Sequence, residues 1–231
     1  MQPPLFAEGV LLVERRSLGM AVLLALLAVA LPLVLSSCAG GDDGPTELQL
    51  SGPSDFRGVR QLPPIALPDV TLIDTDGKRY PLRERAAGKV TLLYLGYTHC
   101  PDVCPTHMAQ IAHALREVSP ETAAQVLVVF ITTDPERDTS AVLRDWLDRF
   151  DSSFVGLTGT QKQLDGVQTS LNANPASKTD LGGGHYSVDH LAYVIAFTPE
   201  RQDARLVYPA DMSWEDYAAD LRTMIEKGKR P

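Results

Sequence analysis

Cys100 and Cys104, four residues apart in the run Tyr94-Leu-Gly-Tyr-Thr-His-Cys-Pro-Asp-Val-Cys-Pro105, sit where an apolar strand pattern gives way to a helical one. A helix beginning there turns its unpaired backbone N–H groups and positive dipole end toward the sulfurs, which favours the thiolate that binds metal or attacks a disulfide. The pair is either a soft-metal clamp or a redox couple. At this spacing the Cα atoms lie about 6 Å apart, near the upper end of what a disulfide tolerates, so one metal ion bridges them more comfortably. Two thiolates with one imidazole make a soft, low-coordinate donor set suited to copper, and His190, at the mouth of an apolar strand pattern, is the best imidazole for it. Zinc takes the same set plus water, but no acid/base partner accompanies the pattern.

The four other histidines read differently. His99 is a loop residue beside Cys100, His107 and His113 are six apart and share no helix face, and His185 sits in a glycine-rich stretch. Met108, one turn after Cys104, reads as packing. Asp102 and Asp189 are placed to orient a ligand, while Asp134-Pro-Glu-Arg-Asp138 reads as the lead-in to a helix capped by Asp138 or Thr139.

These residues need a scaffold. The chain has 231 residues, 44% apolar and 22% charged, with a net charge of −8 and three cysteines. That suits one well-buried domain and excludes both a disulfide framework and a nucleic-acid binder, for which there is no basic stripe. Arg15 and Arg16 precede the apolar run Met20–Leu35, which ends in Leu35-Ser-Ser-Cys38. A charged segment, a run too short to span a bilayer and a small-residue ending predict a signal peptide over 1–38, cleaved before Cys38, whose thiol is then acylated. That ending resembles a bacterial lipobox and implies a lipid-anchored domain on the outer face of the cell membrane. Arg15-Arg16 also fits a weak twin-arginine signal. Residues 39–64, rich in Gly, Asp, Pro and Ser, read as a flexible tether, with the folded domain over 65–231.

Within the domain, 69–74 and 78–82 flank an Asp-Gly turn and predict a β-hairpin. Lys89–Gly96 and Gln125–Ile131 read as strands buried on both faces, followed by helices near 105–118 and 140–150. A strand at 154–157, a helix at 161–171, strands at 191–197 and 205–208 and a helix at 214–227 complete an α/β sandwich. Asn172 to Ser187 carries no apolar periodicity and reads as a long functional loop leading into Asp189-His190.

Tyr97-Thr-His-Cys-Pro-Asp-Val-Cys-Pro105, Thr133-Asp-Pro-Glu-Arg-Asp-Thr139, Gly156-Leu-Thr-Gly159 and Val188-Asp-His190 together resemble the Sco/SenC family, over about Leu67 to Lys227. The resemblance implies a thioredoxin-like α/β sandwich, here with an added N-terminal β-hairpin, and one copper ion, Cu(I) or Cu(II), held by Cys100, Cys104 and His190. It also implies a copper chaperone for the binuclear copper centre of cytochrome c oxidase. Its expected partners are the copper-bearing oxidase subunit and another copper carrier or a thiol reductant. The alternative is a membrane-tethered thiol-disulfide reductase in which Cys100 and Cys104 are catalytic. In thioredoxin-like folds a cis-proline usually faces the cysteine pair; Asp189-His190-Leu191 here puts an imidazole there, as if a redox scaffold had been converted to metal binding.

Overall fold

The apolar run after Lys89 becomes the central strand of the sheet, because it is buried on both faces and pairs on both edges. The computed structural model describes residues 55–228 and 230–231. In chain order its strands are β1 (Val59–Ala66), β2 (Thr71–Asp74), β3 (Arg79–Pro81), β4 (Val90–Gly96), β5 (Val126–Thr132), β6 (Val155–Thr158), β7 (Ser177–Gly182), β8 (His185–Asp189), β9 (Val194–Phe197) and β10 (Asp203–Tyr208). The helices are α1 (Leu82–Arg85), α2 (Val103–Glu117), α3 (Pro120–Ala123), α4 (Ser140–Leu147), α5 (Gln161–Ser170) and α6 (Trp214–Ile225). Eight strands form one sheet in the order β1-β10-β9-β4-β5-β6-β2-β3. The pairs β4/β5 and β5/β6 are parallel, joined by crossovers through α2 and α4, and the rest are antiparallel.

Alternation along the central strands sorts the core into two layers. Leu92 and Tyr94 of β4 and Val128 and Phe130 of β5 face α2, α4 and α6, where Met108, Ile111, Leu143, Trp146, Tyr217 and Leu221 meet them. Leu93, Leu95, Val129 and Ile131 face the other way, against Leu82, Leu164 and Val167. Each fully buried leucine contributes about 1.5–3 kcal/mol. Cys104 and Tyr94 therefore belong to the same layer.

Two expectations are corrected. The folded domain begins before residue 65: β1 occupies the end of the supposed tether and pairs antiparallel with β10, and Phe56 packs into the core. Asp220 of α6 fixes this lead-in, accepting hydrogen bonds from the Arg57 and Gly58 amides at 2.7 and 2.8 Å and from the Tyr208 hydroxyl at 3.1 Å. The supposed loop before Asp189-His190 is a separate β7–β8 hairpin. Its tip is Gly183-Gly184, with φ of +64° and +78°, the left-handed backbone that a tight two-residue hairpin turn needs at both central positions. The predicted hairpin around the Asp-Gly turn is present as β2–β3. Residues 1–54, with Cys38, the signal peptide expected over 1–38 and most of the expected tether, lie outside the described residues. Among the described residues, no helix is long and apolar enough to cross a membrane.

Candidate metal centre

The site forms where β4 ends and α2 begins. Gly96 closes β4 at a point of close approach: a Cβ there would lie 2.7 Å from Tyr94 Cε1 and 2.9 Å from Cys104 Sγ. The next residues turn back, with the Cys100 amide donating to the Tyr97 carbonyl at 3.2 Å, and α2 starts at Val103 rather than Pro105. Cys104 thus lies in the first helical turn and Cys100 in the turn before it.

Asp138 pins this turn. Its buried carboxylate accepts the Thr98 amide (3.0 Å), the Thr98 hydroxyl (2.6 Å) and the Thr132 hydroxyl (2.7 Å), tying the cysteine segment to the end of β5. Burial pushes the Asp138 carboxyl up, and the threonine hydrogen bonds oppose that rise. The helix cap itself is Thr139, whose side chain accepts from the Val142 amide.

The β7–β8 hairpin delivers the third group. Arg137 is its clasp: the guanidinium lies 3.6 Å from the Tyr186 ring centroid and 5.6 Å from that of Tyr97, and donates to the Tyr186 carbonyl at 3.1 Å. Asp134 pairs with Arg137 and accepts the Tyr186 hydroxyl at 3.0 Å. The Asp134-x-x-Arg137 segment thus joins the hairpin to the cysteine turn, a function the sequence reading did not give it.

Beyond β8, His190 brings Nε2 to 3.6 Å from Cys104 Sγ, and the three donor atoms of Cys100, Cys104 and His190 all lie within 4.8 Å of one another. Its Nδ1 is 2.9 Å from the Leu191 carbonyl oxygen. A carbonyl only accepts, so Nδ1 carries the proton and Nε2 keeps its lone pair for a ligand. The rings of Tyr94 and Tyr97 meet the imidazole edge-on at 5.9 and 5.5 Å. A backbone carbonyl thus orients His190, while Asp189 and Asp102 are exposed and Asp102 caps nothing with its side chain.

The two sulfurs are free thiols in different states. A hydrogen bond from Cys104 holds Cys100 far below the usual thiol range; burial opposes this, and the Asp102 and Cys104 amides add to it. Burial, and then the hydrogen bond and charge of Cys100, push Cys104 well above that range. The expected helix-end effect therefore reaches one thiol, not both. Cys100 is 9% exposed and Cys104 0%, so an incoming group meets Cys100 first.

His107, set aside in the sequence reading, is buried behind the site. Its Nδ1 is 3.1 Å from the Tyr217 hydroxyl, its Nε2 is 3.2 Å from the Ala192 carbonyl, and its ring lies 4.9 Å from that of Tyr94. The carbonyl takes the Nε2 proton and the hydroxyl donates to Nδ1, so a neutral ring braces the backbone two residues past His190. Burial lowers its pKa, in keeping with that neutral form. A histidine on the apolar stripe of α2 with Met108 and Ile111 was the available signal. His99 is half-exposed, His113 stacks on Trp214 at 4.3 Å and His185 is exposed in the hairpin, so none of them joins the donor cluster. Met108 is core packing.

The SCO1/SenC family model matches residues 62–226. A mitochondrial SCO1 homolog 1 of Arabidopsis thaliana is 35% identical over 130 residues, covering 56% of this chain and 38% of that protein. A putative copper-binding protein of Stutzerimonas stutzeri is 33% identical over 137 residues, covering 58% of this chain and 65% of that one. The match therefore spans between about two fifths and two thirds of these relatives' length. The copper-bound structure of Bradyrhizobium japonicum ScoI superimposes with a TM-score of 0.60 at 34% identity, covering 69% of this chain and 96% of that one. The agreement bears out the thioredoxin-like α/β sandwich.

Proposed function

The chain belongs to the SCO1/SenC family, and from that premise we propose that it carries one copper ion on Cys100, Cys104 and His190 and delivers it to the copper-bearing subunit of cytochrome c oxidase. The observation that carries this reading is the donor cluster itself: two sulfurs and an imidazole nitrogen within 4.8 Å, the nitrogen's lone pair kept free by the Leu191 carbonyl. Two soft thiolates and one imidazole suit copper. The copper-bound ScoI relative supports the same choice of ion. Copper here is cargo. Cys100, as the outer sulfur, receives and releases it first, and its favoured thiolate needs no proton removed on loading; Cys104 must lose one.

A second reading rests on the asymmetry of the thiols. An outer Cys100 thiolate paired with a buried protonated Cys104 is also the arrangement of a dithiol reductant, in which the outer sulfur attacks and the inner one resolves. On that reading the partner is a disulfide in the oxidase subunit.

Anaerobic copper titration of the full-length protein separates the two. We expect one ion per chain, lost in Cys100→Ser and Cys104→Ser and bound at least 10-fold more weakly in His190→Ala. A stoichiometric site that ignores His190→Ala overturns the ligand assignment. Failure to bind copper, together with reduction of an oxidase-derived disulfide, makes the protein a reductase.

A further inference from the structure

Tyr94 is fully buried in the middle of the sheet's central strand, among the residues that form the floor of the site. Its hydroxyl lies 3.6 Å from Cys104 Sγ and donates to it. The rest of the ring is fixed on several sides: Phe130 at 6.0 Å between centroids, His107 at 4.9 Å, and the edge contact with His190 at 5.9 Å. Gly96 leaves the space in which ring edge and sulfur meet, since a Cβ there would collide with both. His107 is in turn held by Tyr217 and Ala192, so the phenol has a braced position rather than a choice of rotamers.

We propose that Tyr94 is a positioning residue whose hydrogen bond to Cys104 Sγ biases the bound copper toward Cu(I). The inference rests on the copper reading above. A thiolate gives electron density to its metal, and Cu(II) depends on that donation more than Cu(I) does. A hydrogen bond to the sulfur withdraws part of it, and hydrogen bonding around a ligating cysteine sets the potential of copper–thiolate sites in this way. The donor here is neutral, lies in a dry layer of the core and is aimed at the inner sulfur, where water does not compete for it. Cys100 is nearer solvent, so the tuning acts through the sulfur that a partner reaches last.

The experiment loads the full-length protein with copper and measures two quantities: the energy of the thiolate-to-Cu(II) absorption band and the midpoint potential of the bound Cu(II)/Cu(I) couple. Tyr94→Phe keeps the ring and removes the donor. It is expected to keep one copper per chain, to move the band to lower energy and to lower the ratio of Cu(I) to Cu(II) affinity at least threefold, a fall of about 30 mV given 59 mV per tenfold for one electron. Site-specific replacement of Tyr94 by 3-fluorotyrosine keeps the shape and strengthens the donor, and is expected to move both quantities the other way. This second variant decides the matter if Tyr94→Phe does not fold. Unchanged values, or shifts opposite to these with copper still bound, overturn the role of Tyr94 alone. An unsubstituted protein that takes up no copper overturns the copper reading, and this inference with it.

Discussion

Cys100 and Cys104 meet the same helix end with opposite outcomes, because the Cys104 thiol donates to the Cys100 sulfur while burial makes Cys104 keep its own proton. The consequence is measurable in the metal-free, reduced protein. A thiol reacts through its thiolate, and an ordinary cysteine with a pKa near ~8.5 slows about tenfold per pH unit below that value. Cys100, depressed to about 3, is already deprotonated across pH 5–8. Its iodoacetamide labelling should therefore be nearly flat over that range, while Cys104 stays unlabelled; peptide mass spectrometry reads both. Labelling of Cys104 first, or a rate that climbs tenfold per unit, contradicts the assignment. The three residues that cluster could be named from residue types and order, Cys-x-x-x-Cys with a distant histidine, but choosing between metal clamp and redox couple took the wider family motifs. The supports were not legible. Nothing in the letters of Tyr94, His107 or Asp138 says that a phenol, an imidazole and a carboxylate will be buried around the sulfurs, because their partners lie 10, 110 and 40 residues away.

The strand and helix runs of the central sheet were legible because burial on two faces leaves a continuous apolar signature, as in β4 and β5. The β7–β8 hairpin left none. Its first strand is exposed along its whole length, so no alternation marks it, and only the Gly183-Gly184 turn betrayed it. An element with so little core of its own is held in place by contacts at its flank, above all Arg137 between Tyr186 and Tyr97. Arg137→Ala should detach it: backbone amides of 177–189 are expected to exchange faster, with the rest of the sheet unchanged. Copper affinity is expected to fall by about 10-fold, since the strand that leads to His190 is no longer fixed. Unaltered exchange in the hairpin sinks this account of the clasp. Gly96→Ala tests the opposite fault, overcrowding. A methyl group within 3 Å of Tyr94 and Cys104 is expected to cost about 1–3 kcal/mol, seen as a melting temperature several degrees lower.

For the whole molecule, the outer strand β1 shows why the domain boundary was misread. Val59–Ala66 is mostly exposed and holds two prolines, so composition marks it as linker, while its pairing with β10 and the Asp220 anchor make it part of the fold. A tether, if Cys38 is acylated as the sequence predicts, is correspondingly shorter. Cys38→Ala should abolish incorporation of labelled palmitate, and label retained by the variant would contradict acylation at Cys38.

The imidazole follows the inner sulfur by 86 residues, and the two are brought together by a hairpin that is itself clasped to the cysteine turn. An unfolded or half-made chain therefore offers an ion two neighbouring sulfurs and no more; the complete donor set comes into being only when that hairpin has docked. Loading is then a late event in the life of the polypeptide. Copper taken up at full strength certifies a finished fold, and by mass action it holds that fold shut.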